Sequence, residues 1–255
     1  MGTPRYLVVV GLGQLGRLFA TGALARGVRV TPVLRGVDPG AVLAPLPDVP
    51  ILLAVGEHDL EPVLRAIAPA RRRDAILVQN ETFPPDWRPL VPDPTVAVVW
   101  LNAKPGRPLQ VARSTAVRGR HAALVCALHA PLDVPCRLLD DDAQLARELV
   151  AKYALILAVN ALGLRSDETV GTWLARDEPL VRRLVADARR LGEARLGDRV
   201  DDADAAEDAA LEAMQALATM PARGRTARAR VDRALALGRT LGVSLPALAA
   251  FADGA

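Results

Sequence analysis

Residues 6–16 read Tyr6-Leu-Val-Val-Val-Gly-Leu-Gly-Gln-Leu-Gly16, an apolar run that leads straight into three glycines. Such a run fits a strand buried on both faces, as in a parallel sheet. Gly11 suits a tight turn at the strand end. Gly13 lets an anion approach bare backbone, and Gly16 lets a following helix pack close to the strand. The unpaired N–H groups of that helix's first turn favour negative charge. This order is what the pyrophosphate of a dinucleotide needs, so Gly11, Leu12, Gly13, Gln14, Leu15 and Gly16 form a candidate cofactor-binding turn. The same turn also occurs in α/β proteins that bind no nucleotide.

Outward from this stretch, apolar runs at Leu7–Val10, Val28–Leu34, Ile51–Val55, Ala75–Val78, Val96–Leu101 and Leu109–Ala112 read as strands. Gln14–Arg26, Leu60–Ile67 and His121–Ala130 read as helices, and the proline-rich pieces Pro39–Pro50 and Pro84–Pro94 as loops or irregular edges. Strands alternating with helices imply right-handed crossovers and a doubly wound, mostly parallel sheet. After Asp140-Asp141-Asp142 the strand signals vanish. Helix-forming stretches follow at Ala143–Leu162, Pro179–Leu196, Ala203–Thr219 and Arg225–Leu241. The expected architecture is α/β. A Rossmann-type dinucleotide-binding domain over residues 1–139 is followed by an all-helical substrate domain over residues 140–255, with the ligand in a cleft between them.

Composition excludes several classes. The net charge is only +3 over 255 residues, with both signs interspersed, so the abundant arginine makes no basic field and no nucleic-acid partner is expected. Leu7–Val10 is too short to span a bilayer, and no membrane partner is expected. Cys126 and Cys136 lack C-x-x-C spacing and read as reduced core residues of a cytoplasmic protein. His58, His121 and His129 are scattered, and no metal-ligand pattern is present. Trp87, Trp100 and Trp173 read as packing residues, Arg71-Arg72-Arg73 as a solvated helix end, and Asp201-Asp202 with Asp204 as an exposed helix start. Lys104, in the loop after the fifth apolar run, and the group Arg223, Arg225, Arg228 and Arg230 are possible contacts for phosphate or carboxylate.

The chain has two lysines, and one stands in its most apolar helix. Lys152, Ile156 and Asn160 are four residues apart and share a stripe. Burying an ammonium or an amide there is costly unless something pairs with it, and a ligand carboxylate and carbonyl would serve. The residues leave a second arrangement open, in which Lys152 snorkels to the surface and Asn160 bonds a neighbouring carbonyl.

In this order of features the sequence resembles the ketopantoate reductases (2-dehydropantoate 2-reductases), and the resemblance runs over most of the chain. It rests on Gly11, Gly13 and Gly16, Arg35 after the second strand, Gln79-Asn80 after the fourth, and Lys152 with Asn160. Thr219-Met220 and the closing Gly242-Val-Ser-Leu-Pro246 complete it. The resemblance implies an all-helical second half like that of 6-phosphogluconate dehydrogenase. It also implies NADPH-dependent reduction of a 2-oxo acid, ketopantoate to pantoate, a step of pantothenate biosynthesis. Lys152 would be the general acid, Asn80, Asn160 and Thr219 would hold substrate, and Asn80 would also lie beside the nicotinamide. Arg35 stands where NAD enzymes carry an acidic residue and would favour the 2′-phosphate of NADP, with NAD still admissible. A solvated loop arginine is the other reading of Arg35. The apolar helical half makes a homodimer plausible.

Several positions depart from that family's pattern. Ile156 replaces the middle asparagine of the lysine helix, and Glu81 replaces a glycine. Gly56-Glu57 falls where a cofactor-binding lysine is expected. Thr226 stands near a missing glutamate, with Asp232 about six positions later. These changes leave the substrate open. A reductase of another oxo or imine substrate and a non-catalytic dinucleotide-binding protein remain as alternatives.

Overall fold

The computed structural model describes residues 5–103, 108–222, 224 and 226–253. Lys104, Arg223 and Arg225 lie outside the described residues. The chain divides into two compact units, Met1–Leu145 and Ala146–Ala255.

The first unit carries strands β1 (Tyr6–Val10), β2 (Arg29–Val33), β3 (Ile51–Leu53), β4 (Ala75–Leu77), β5 (Thr95–Val98), β6 (Leu101–Asn102), β7 (Gln110–Val111), β8 (Thr115–Arg118) and β9 (Cys136–Leu138). Seven of them form one sheet in the order β2-β1-β3-β4-β5-β8-β9, and β6 pairs with β7 separately. The pairings from β2 through β5 are parallel. β1, β3, β4 and β5 are buried along almost their whole length, which is why they read as continuous apolar runs. β8 and β9 are parallel to each other, but β8 is antiparallel to β5. They are absent from the expected strands, and the run expected at Leu109–Ala112 instead belongs to the β6–β7 hairpin. Because β1 sits between β2 and β3, connections leave it in opposite directions. The crevice outside the carboxyl ends of β1 and β3 is therefore the switch point where ligands bind in open α/β sheets.

Helices α1 (Gln14–Ala25), α2 (Pro39–Leu43), α3 (Glu57–Ala66), α4 (Pro84–Trp87) and α5 (Ala122–His129) complete the unit. The short α2 and α4 correct the two proline-rich loops. Pro39 opens α2 at a position where no N–H is required, and Asp38 caps it by accepting from the Gly40 and Ala41 N–H groups at 2.9 and 3.3 Å. α1 and α5 pack so closely that a Cβ at Gly22 would lie 1.9 Å from the Leu128 carbonyl oxygen. Phe19 meets His129 edge to face, with ring centroids 4.8 Å apart.

Cys126 on α5 and Cys136 on β9 form a disulfide, with Cα atoms 5.2 Å apart. Their separation of ten residues carries no sequence signature, and it is the packing of α5 against β9 that joins them. The expectation of two reduced core cysteines is corrected, and the compartment argument built on it falls with it. No helix among the described residues is long and apolar enough to cross a membrane.

α6 (Asp142–Leu162) runs into the second unit, which adds α7 (Val170–Leu196), α8 (Ala203–Ala216), α9 (Ala227–Leu241) and α10 (Pro246–Asp253). α7 is two helical limbs merged across Asp177, whose φ of −151° and ψ of 66° are not helical. Pro179 cannot donate to the preceding turn, and Asp177 caps the second limb by accepting from the Leu180 N–H at 2.9 Å. Asp202 caps α8 in the same manner through Ala205. The segment after α8 docks on the start of α7, with Val170 donating to Met220, Gly171 to Ala218 and Ala222 to Glu168.

Candidate functional site

Two sets of residues carry the candidate chemistry, one in each unit. In the first, the chain leaves β1 at Gly11, whose φ of +89° is costly for any residue with a side chain. A Cβ at Gly11 would also lie 2.6 Å from the Ala54 carbonyl oxygen, and one at Gly16 would lie 1.9 Å from the Gly11 carbonyl oxygen. These two glycines are required by the chain's own packing. Gly13 is different. Nothing lies within 4 Å of its Cβ position, it is exposed, and it is the N-terminal cap residue of α1. It contributes no side-chain cap, and no acidic residue occupies the first turn. The space a side chain at residue 13 would fill is open beside the uncapped first turn of α1, which fits a dinucleotide pyrophosphate.

Three further residues shape this turn. Arg17 donates from Nε to the Leu12 carbonyl at 3.0 Å, tying the loop to α1. Gln79 is buried at the end of β4 and donates to the carbonyls of Leu53 and Val55 at 2.6 and 3.2 Å, while its Oε1 accepts the Val78 N–H at 3.1 Å. It acts as a strut between the ends of β3 and β4. Arg35 has a side chain 97% exposed and one weak partner, Asp59 at 4.0 Å. Asn80 is half-buried beside the Gln79 strut and has no hydrogen-bond partner among the described residues.

In the second set, α6 carries Glu148, Lys152, Ile156 and Asn160 at four-residue intervals. Lys152 is 8% exposed and Glu148 only 6%, so the snorkelling arrangement is not the one adopted. Burial pushes the Lys152 ammonium down from its ordinary 10.5 to about 8, and the Glu148 charge opposes that fall. Asn160 follows the bland alternative in part. Its Nδ2 donates to the Ile156 carbonyl at 2.7 Å, leaving Oδ1 as the group with capacity to spare. Gly224 passes so near that a Cβ there would lie 3.1 Å from Asn160 Oδ1. Thr219 is exposed in the turn after α8, in the segment docked on α7. Asp232, the candidate replacement for the missing glutamate, is exposed and pairs with Arg228 at 3.1 Å.

Glu148, Gln79 and Arg17 were not singled out by the sequence for these roles. Glu148 stands one turn before Lys152 on the same stripe, and extending the four-residue spacing backward finds it. Arg71 is a correction. Rather than being solvated, it reaches the carbonyls of Leu43, Leu46 and Pro47 and pairs with Asp48 at 3.5 Å. Burial pushes the His129 imidazole down, as it does that of His121, whose Nε2 lies 3.3 Å from buried Asp74. His58 is exposed, and no cluster of three metal-ligating side chains occurs among the described residues.

The backbone is similar to those of solved reductases. A PanE/ApbA family ketopantoate reductase from Ralstonia eutropha JMP134 superposes with a TM-score of 0.68 at 22% identity, covering 97% of this chain and 96% of that one. The dimeric ketopantoate reductase of Staphylococcus aureus gives 0.62 at 18% identity, with 98% of each chain covered. A D-mandelate dehydrogenase in complex with NADH gives 0.66 at 12% identity, covering 97% and 96%. No family model and no curated protein matches the sequence. The chain therefore has the fold of these reductases: an N-terminal Rossmann-type sheet and a helical C-terminal half.

Proposed function

We propose that the protein is an NAD(P)H-dependent reductase of a small 2-oxo acid, with Lys152 as the proton donor. The observation that carries this reading is a buried ammonium held near pH 8 in the helical unit of a chain that also presents an open glycine turn. The first unit holds the dinucleotide and the second the substrate. Gly13 and the first N–H groups of α1 receive the pyrophosphate, and the exposed Arg35 guanidinium receives the 2′-phosphate of NADPH. The bound dinucleotide supplies a hydride to the carbonyl carbon. Lys152 Nζ donates its proton to the oxygen on which negative charge develops, and at neutral pH it is protonated and close to the acidity such a donor needs. Glu148 keeps the amine charged despite its burial. Asn160 Oδ1 accepts from a substrate hydroxyl, and Asn80 and Thr219 complete the polar contacts.

The favoured substrate is ketopantoate, by analogy with the ketopantoate reductases of this fold. A less polar 2-oxo acid is the second reading. It is favoured by Ile156 within the lysine stripe and by Asp232, which is already paired with Arg228. A homodimer is part of the proposal by the same analogy. The test is NADPH consumption with ketopantoate and a panel of 2-oxo acids, repeated with Lys152→Ala. Turnover abolished by the substitution supports the reading. Tight dinucleotide binding without turnover on any member of the panel would instead identify a non-catalytic dinucleotide-binding protein.

A further inference from the structure

The helical unit contains a cavity of about 590 Å³ whose lining includes neither Lys152 nor Asn160. Leu180, Arg183, Asp187 and Arg190 face it from the second limb of α7, spaced three and four apart and hence on one side of the helix. α10 contributes Pro246, Ala247 and Ala250, and Arg165 with Phe251 completes the wall. Alanines stand where larger residues would close the gap.

The charges here are unequal and unequally committed. Asp187 is 2% exposed and fully used, since one oxygen receives Arg190 and the other accepts the Leu248 N–H at 3.0 Å. That bond caps α10. Arg165 lies 4.4 Å from the Phe251 ring centroid and donates Nε and Nη2 to the carbonyls of Phe251 and Ala250 at 3.0 and 2.9 Å. Three of its five N–H bonds remain unspent. Arg183 has no hydrogen bond or ion pair among the described residues. Three guanidinium groups thus face one carboxylate, over walls made by Leu180, Pro246 and Phe251. A half-exposed apolar lining with a few convergent cations selects a ligand with an anionic head and a hydrocarbon body.

We propose that this cavity binds a small amphipathic carboxylate, its head paired with Arg183 and its chain lying on Leu180, Pro246 and the alanines of α10. Calorimetric titration with octanoate tests this, with acetate and octanol as probes that each keep one half of the chemistry. Saturable octanoate binding is expected, with acetate and octanol at least tenfold weaker. Arg183→Glu, at an exposed position, is expected to weaken octanoate tenfold or more. Ala247→Trp, which narrows the cavity, is expected to weaken binding tenfold or more, and Arg183→Glu should leave thermal unfolding and dinucleotide affinity unchanged. Absence of saturable octanoate binding would overturn the proposal. So would octanol binding as tightly as octanoate, or octanoate affinity unchanged in Arg183→Glu.

Discussion

The glycine turn of the first unit and the α6 stripe of the second prepare for chemistry in opposite ways. At the turn, the proposed cofactor site depends on side chains that are missing: Gly11 and Gly16 because the chain itself fills their space, Gly13 because nothing does. On α6, the proposed chemistry depends on side chains that are expensive to keep, with Glu148 and Lys152 both buried in a largely apolar helix. A vacancy costs the fold little and shows up as a spacing of glycines. A buried charge costs stability and shows up only when its surroundings are known.

The sharpest way to break this contrast is Lys152→Met. It is expected to lower kcat by about 10²–10⁴-fold, the range of general acid–base catalysis, while dinucleotide affinity stays within twofold or so. Steady-state kinetics alongside dinucleotide titration checks both halves. A comparable loss of cofactor affinity would merge the two regions into one function.

The same substitution should change how stability depends on pH. The folded state holds the Lys152 proton less tightly than the unfolded chain does, so between about pH 8 and 10.5 the unfolded state binds more protons. Stability contributed through this residue therefore rises with pH across that window, and the cost is present in full below pH 8. At neutral pH it amounts to about 3 kcal/mol at most. Urea unfolding of the wild type and Lys152→Met at pH 7 and pH 10 should show the wild type gaining stability relative to the variant at the higher pH.

The glycines sharpen the other side of the comparison. Gly16→Ala forces backbone apart and is expected to cost about 1–3 kcal/mol of stability. Gly13→Ala is expected to change stability by less than about 0.5 kcal/mol while weakening dinucleotide binding tenfold or more. Unfolding curves and cofactor titrations on the pair distinguish them, and equal destabilisation would mean that Gly13 is also a packing glycine. The smallest expected effect is at Arg35. Arg35→Glu should shift the ratio of NADPH to NADH affinity toward NADH by about tenfold, and an unchanged ratio removes Arg35 from the cofactor site.

Legibility in the sequence follows the same division. The strands β1, β3, β4 and β5 could be read because strands buried on both faces are nearly uninterrupted apolar runs. β8 and β9 could not, since Thr115–Arg118 has only two apolar residues between a threonine and an arginine and β9 is largely exposed at the sheet edge. The disulfide was hidden because only the docking of α5 on β9 makes Cys126 and Cys136 neighbours. α10 escaped notice because the reading stopped at Pro246, which begins the helix rather than ending the chain's order. At the site, the glycines were plain from spacing alone. Glu148 was missed because a carboxylate in a helix reads as solvated until burial is known, and the Gln79 strut depends on the parallel register of β3 and β4.

The central claim is that α6 holds a buried, weakened ammonium suited to give up a proton. The chain has only two lysines, so selective labelling of lysine side chains gives two titrating signals, which Lys104→Arg assigns. The account predicts that the Lys152 signal titrates near pH 8 and vanishes in Lys152→Met. A Lys152 signal titrating near 10.5 would contradict it.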